Sequence, residues 1–196
     1  MQRARNLKRV AKFAFVLLLA ACSLLEESTP TDLENACSIF RQKPGWERDL
    51  RRTERKWGVP ASVQMAIIWQ ESKFVSRAKP PREYFLGIIP TGRVTSAYGY
   101  AQVIDSTWDE YRDANNRWFA SRDDFGDATD FIGWYLDRSE RILGIRKTNV
   151  RENYLAYHEG HAGYRRGNHR SKQWLISVAN DLVPRERKYA RQLRSC

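Results

Sequence analysis

The stretch Met65-Ala66-Ile67-Ile68-Trp69-Gln70-Glu71-Ser72-Lys73-Phe74 decides how this chain is read. Its first five residues are apolar, so a helix through them is hydrophobic nearly all round and belongs at the centre of a helical domain. The apolar run gives out at Gln70, and a carboxylate follows at once. Burial disfavours the charged form of a carboxyl and raises its pKa, which makes Glu71 a candidate general acid. Taken alone, a Glu after an apolar helix is more often a solvated terminal residue, so the rest of the chain has to decide between the two.

Working outward, Pro60 opens this helix, and Pro44 opens the one before it, with Trp46, Leu50 and Trp57 on one face and Gly58 at its end. Earlier still, Leu33, Ala36, Cys37 and Phe40 recur at i, i+3, i+4 and i+7 behind a cap at Thr31 or Asp32, which turns Cys37 towards the core. Beyond Phe74, residues 75–104 are rich in proline and glycine and read as a long loop with at most a short β-hairpin. Helices resume near Ser106, with Trp108 and Tyr111 on one face. The next begins at Asp123 or Asp124, with Phe125, Ala128, Ile132 and Tyr135 at helical spacing. Asn149 with Glu152 three residues on has the form of a capping box. Trp174, Val178, Leu182, Tyr189, Leu193 and Cys196 continue a stripe to the end, and Pro184 is predicted to break or kink it. The fold class is mainly α, in one domain wrapped around one long loop.

The N-terminus carries Arg3, Arg5, Lys8, Arg9 and Lys12 with no acid, then nine apolar residues from Phe13 to Ala21. A membrane-spanning helix needs roughly 20, so residues 1–21 read as a signal peptide. The run ends Leu19-Ala20-Ala21-Cys22, which resembles the lipobox of bacterial lipoproteins. The alternative is an ordinary signal peptide followed by a free or disulfide-bonded Cys. The resemblance implies a lipidated Cys22 as mature N-terminus, stable anchoring by more than one acyl chain, and residues 22–32 as a tether to a domain over residues 33–196. Ser23, rather than Asp, after the Cys implies the periplasmic face of the outer membrane of a Gram-negative bacterium. With Cys22 set aside, Cys37 and Cys196 remain as an even pair in an oxidising compartment and are predicted to be bridged.

Formal charge is +11, but five of the 34 basic residues and none of the 23 acidic ones fall in residues 1–21, so the mature chain keeps 29 against 23, or +6. Outside the cytoplasm such a cation meets envelope polyanions, peptidoglycan stems and anionic headgroups among them, and nucleic acid is not an expected partner. Arg51-Arg52, Arg165-Arg166 and the run Arg185 to Lys188 are expected to be solvated faces.

Three motifs then follow in order: Glu71-Ser72-Lys73-Phe74, Gly99-Tyr100-Ala101-Gln102, and Ala156-Tyr157-His158-Glu159-Gly160. Together they resemble the lytic transglycosylases of the soluble-transglycosylase (SLT) type, whose pattern is Glu-Ser-x-Phe, Gly-Leu-Met-Gln and Ala-Tyr-Asn-x-Gly. The resemblance spans roughly residues 55–190 and implies a lysozyme-like helical domain with a long active-site loop. It further implies Glu71 as the single catalytic acid and base, beside Tyr157. Ser72, Tyr98, Gly99, Tyr100 and Gln102 are expected along a sugar groove that binds peptidoglycan glycan strands. No cofactor or metal is implied, protein partners are not legible, and a monomer is expected. The implied reaction cleaves the MurNAc–GlcNAc β-1,4 bond and leaves 1,6-anhydro-muramyl ends.

The physical chemistry agrees with a single acid and base, since ordinary glycoside hydrolysis needs two carboxyl groups and a reversible acid and base needs a pKa near working pH, here lifted by apolar neighbours such as Trp69 and Phe74. Several residues depart from the family pattern. Tyr100-Ala101 replaces Leu-Met, His158 replaces Asn, Pro80 stands where a Ser is usual, with Ser96 as a substitute, and an insertion around Pro81 to Arg93 lengthens the loop into a lip of the groove. Three rivals remain. A hydrolysing muramidase would recruit Asp105 as second carboxylate, and a non-catalytic peptidoglycan-binding lipoprotein would keep only the groove. A zinc site on His158 and His161 would need His169 as third ligand, and the spacing His-Glu-x-x-His is absent.

Overall fold

Pro44 at the first position of one helix and Gly58 in the left-handed conformation at its end (φ 70°) fix its limits, because proline has no N–H to lose there and glycine takes positive φ without a Cβ clash. The computed structural model describes residues 28–85, 89–93 and 95–196, and the expected signal peptide, Cys22 and the start of the expected tether lie outside them. In chain order the elements are α1 (Ala36–Gln42), α2 (Pro44–Trp57), α3 (Ala61–Ser72), strands β1 (Arg82–Phe85) and β2 (Ile89–Arg93), α4 (Asp105–Asn115), α5 (Phe125–Leu143), α6 (Val150–Arg165), a 3-10 turn over Asn168–Ser171, and α7 (Gln173–Gln192). The architecture is mainly α. β1 and β2 pair antiparallel as one hairpin, Arg82 opposite Arg93 and Phe85 opposite Ile89, with a register shift between Glu83 and Tyr84.

The central helix is α3. Every residue from Ala61 to Ile68 is buried, as a helix apolar all round requires. Its one buried amide, Gln64, donates from Nε2 to the carbonyls of Leu50 (3.2 Å) and Val59 (2.8 Å), which offsets the cost of desolvating the NH2 group, while Oε1 has no partner among the described residues. α6 and α7 cover one side of α3, and α2 and α5 close the other.

α2 and α5 approach very closely. A Cβ on Gly133 would lie 2.4 Å from Trp57 Cδ1 and 2.6 Å from Thr53 Cγ2, so only glycine permits this spacing. Beside the contact, the buried carboxylate of Asp130 accepts hydrogen bonds from Lys56 Nζ (2.9 Å), Trp57 Nε1 (2.8 Å) and Tyr111 Oη (2.7 Å). A charge in the interior persists only when paired and fully hydrogen-bonded. These partners outweigh its desolvation and hold Asp130 below the usual carboxylate range. A second aromatic cluster, Trp46 stacked on Phe125 at 3.9 Å with Phe74 and Tyr100 around it, seals the end of the domain beneath the loop.

Several local expectations need correction. Asn35, not Thr31 or Asp32, caps α1, accepting from Ser38 N–H, while Asp32 accepts from Glu34 N–H in a turn just upstream. Asn149 caps α6 through Glu152 N–H, but the Glu152 carboxylate turns to Arg151 and Tyr164 instead of completing the box. Pro184 lies inside α7, which continues through it, because burial of Leu175, Ala179, Leu182 and Tyr189 holds the helix on the core across the missing N–H. The break falls in α6, at Gly160 (φ 71°, ψ 156°). Arg185 and Lys188 are not a solvated face, since both bind Glu34 and pin the chain ahead of α1 onto α7.

Cys37 and Cys196 are disulfide-bonded, with Cα atoms 5.5 Å apart, joining α1 to the end of the chain 159 residues on. Gln192 Oε1 accepts from Ala36 N–H (2.9 Å) and Tyr189 donates to Leu33 O alongside. Among the described residues no helix is long and apolar enough to cross a membrane.

Candidate active site

Glu71 occupies the last turn of α3, and Lys73 ends the helix in the left-handed conformation (φ 53°). The chain then turns away, Phe74 enters the core against Trp46, and Glu71 remains at the floor of a cleft of about 490 Å³. The loop before α4 supplies one wall through Thr95, Ala97, Gln102, Val103 and Ile104, and α5 and α6 supply the other through Phe131, Tyr135, Tyr157 and His158.

The electrostatics of Glu71 follow from this position. Burial pushes its pKa up to about 7, against the opposing pull of a hydrogen bond from Tyr154 and the charge of Lys73. The lift comes from desolvation at the cleft floor. Phe74 lies in the core, and the Trp69 ring carries Lys73 Nζ and the Arg185 guanidinium 3.2 and 3.1 Å from its centroid. A carboxyl lifted in this way keeps its proton closer to neutral pH than an exposed one does, which suits a group that gives and takes a proton.

Tyr154 was not singled out in the sequence. It donates to Glu71 from α6, three residues before Tyr157, so both phenols share one face of that helix. That i, i+3 repeat was the available signal. Burial and the nearby Glu71 carboxylate push both phenols above their usual pKa, so they remain donors. Tyr157 spends its proton on the loop, donating to Ala101 O at 2.6 Å.

The loop motif is held by backbone geometry. Gly99 has φ 79°, and a Cβ there would fall 2.0 Å from Arg122 O. Its N–H donates to Ala78 O (3.0 Å), and the next N–H, of Tyr100, donates to Arg122 O (3.1 Å). Gln102, also left-handed (φ 47°), donates from Nε2 to Ala78 O (2.8 Å) and Gly99 O (2.9 Å) while lining the cleft. Gly99 and Gln102 thus fasten the turn through which Tyr157 is tied.

Other expected groove residues lie elsewhere. Tyr100 is fully buried, edge-on to Trp46 and Phe125 in the core, and cannot stack on a sugar. Ser72 is buried with its hydroxyl on Ile68 O (3.2 Å). The Tyr98 hydroxyl donates to Asp123 (3.1 Å), away from the residues that line the cleft. Ser96 accepts from Asp105 N–H (3.0 Å) and so caps α4 from outside the helix.

The remaining acids sort cleanly. Asp105 is bound to Arg122 (2.7 Å) at the start of α4 and does not line the cleft. Among the described residues, Glu71 and Glu159 are the carboxylates that line it. Burial raises Glu159, but Lys172 (2.7 Å) and His158 (3.2 Å) outweigh it and hold the carboxyl below its ordinary value. Glu159 is thus held in an ion pair, and of the two carboxyl groups that line the cleft among the described residues Glu71 is the one whose pKa is raised. The three histidines diverge. His158 packs edge-on to Trp174, His161 stacks on Tyr135 and contacts Ser139 Oγ (2.9 Å), and His169 stacks on Tyr164.

A family model described as "Transglycosylase SLT domain" matches residues 10–196. The chain belongs to that family. No curated protein and no solved structure matches it. Within this SLT domain, the matched span takes in all three motifs, and the fold brings Glu71, Gln102 and Tyr157 to one cleft.

Proposed function

We propose that this SLT domain is a peptidoglycan lytic transglycosylase in which Glu71 is the only acid and base. The observation that carries the reading is the pairing of the acids: Glu71 sits at the cleft floor with its pKa near 7, while Glu159 and Asp105 are committed to Lys172 and Arg122. Protonated Glu71 gives its proton to the glycosidic oxygen between MurNAc and GlcNAc as the C1–O bond breaks. The resulting carboxylate then removes the proton of the same muramyl residue's 6-hydroxyl as O6 bonds to C1. No water is consumed, the acid is regenerated, and a 1,6-anhydro end is left. A double displacement or water attack would need a second unpaired carboxyl across the bond.

Tyr154 holds the Glu71 carboxyl in place, and Tyr157 holds the loop wall. Residues 1–21 act as signal peptide, Cys22 carries the lipid, and residues from 33 onward form the enzyme at the periplasmic face of the outer membrane. The support for this is the basic and apolar N-terminus and the Leu-Ala-Ala-Cys sequence. Digestion of intact sacculi followed by mass spectrometry tests the chemistry. Anhydro-muropeptides are expected from the wild type, and a loss of at least about 10²-fold with Glu71→Gln, the scale of general acid–base catalysis. Hydrated reducing ends as the main product would make the enzyme a muramidase instead.

A further inference from the structure

A second concavity, of about 460 Å³, lies further along the seam between α5 and α6 that forms one wall of the cleft. On α5, Tyr135 lines the cleft and Ile142 lines the second pocket. Seven residues separate them, which puts them on the same helix face about 10 Å apart. On α6, Gly160 belongs to the cleft and Tyr164 and Arg165 to the pocket. His161, stacked on Tyr135 and in contact with Ser139, forms the ridge between.

The pocket is basic. Arg151, Arg165 and Arg170 converge on it with His169, against one acid, Glu152. Both oxygens of that acid are already used, one by Arg151 and the other by the Tyr164 hydroxyl. Arg165 spends one N–H on Ile142 O at the end of α5 (3.1 Å). The Arg170 side chain lies against Gly167, and among the described residues its guanidinium makes no hydrogen bond or ion pair. Its charge acts on the Tyr164 phenol, as does that of Arg151, and all three residues line the pocket. His169 also lines the pocket, and its buried Nδ1 has no hydrogen-bond partner among the described residues. A buried polar atom left unpaired is costly, and several guanidinium donors around a concavity suit a planar, bidentate anion.

We propose that this pocket binds a carboxylate-bearing peptide, the stem of the polymer whose glycan lies in the neighbouring cleft. The identity of that source rests on the peptidoglycan reading above. The ligand chemistry does not. Arg170 and Arg165 grip the carboxylate, His169 completes its contacts, and the occupied pocket selects strands that carry peptides.

Calorimetric titration of the full mature chain tests it with three probes: a synthetic muramyl tripeptide with its carboxylates free, the amidated counterpart, and inorganic phosphate. The free acid is expected to bind saturably. Arg170→Glu should weaken it about tenfold or more, the scale of one charge-assisted hydrogen-bonding group, and the amidated peptide should bind no better to the wild type than the acid does to that variant. Arg48→Glu, the same change of charge at a well-exposed site on α2, should leave binding within about twofold. Equal losses from both variants would mean general attraction to a cation, and equal affinity for the amidated peptide would remove the carboxylate. Binding of phosphate alone would assign the pocket to a different anion. Each of these overturns the proposal. Turnover is not measured, so loss of the Glu71 chemistry and loss of this site are told apart.

Discussion

Tyr157 reaches from α6 across the cleft and donates its hydroxyl to Ala101 O at 2.6 Å, which makes one bond the fastening between the third motif and the second. Tyr157→Phe keeps the ring and strands that buried carbonyl. A loss of about 1–3 kcal/mol is expected, read by denaturant unfolding. Because the loop wall then loses its tie to α6 and keeps only its bonds to Ala78, to Arg122 and within the loop, KM for glycan should rise together with a fall in kcat.

The pH dependence follows from Glu71. In the proposed reaction the acid form of Glu71 starts the cycle, so kcat should fall as pH rises through about 7, tending to tenfold per unit above it. Tyr154→Phe removes the hydrogen bond that opposes the effect of burial, and the alkaline limb should move up. A limb that stays fixed would remove Tyr154 from any role in setting Glu71.

Stability should carry the same signature with a definite sign. The folded pKa of Glu71 is raised above its ordinary 4.5 to about 7, so between those values the native state binds more protons than the unfolded one. Stability from this group is complete below about pH 4.5 and is lost as pH rises through 7. Glu71→Gln should therefore match the wild type at pH 4 and exceed it at pH 8, by on the order of 3 kcal/mol. Chemical denaturation at the two pH values measures the difference.

Gly99→Ala would place a methyl group 2.0 Å from Arg122 O at a φ of 79°. Both the contact and the backbone angle are unfavourable, and a cost of at least about 3 kcal/mol is expected. The loop should detach before the helices melt, so activity should disappear at temperatures where helical circular dichroism is still native.

Reduction of Cys37–Cys196 opens a loop of 159 residues. The expected loss is roughly 2–5 kcal/mol. It should be matched by Cys37→Ser/Cys196→Ser without added reductant, and thermal unfolding in and out of dithiothreitol checks both.

What the chain determined by itself is the helical frame. Pro44, Gly58, Pro60 and Asn149 set helix limits through backbone chemistry that needs no tertiary partner, and the apolar run to Trp69 is buried because no face of it is polar. The order of the three motifs likewise pointed to Glu71 and Tyr157. Tertiary structure decided what each polar or aromatic group touches. Tyr100 looked like a sugar platform, yet it is core, because a tyrosine's spacing does not say which side of a turn its ring falls on. Arg185 belonged to a charge run and instead lies on Trp69 beside Glu34, since its partners come from 116 and 151 residues away in sequence. Pro184 stays helical because packing outweighs one missing hydrogen bond. The candidacy of Glu71 was legible in the sequence, but its pKa of about 7 was not, for desolvation depends on what α6 and the loop close over it. The commitment of Glu159 to Lys172 and of Asp105 to Arg122 is likewise tertiary, since each pair joins residues 13 or 17 apart in sequence.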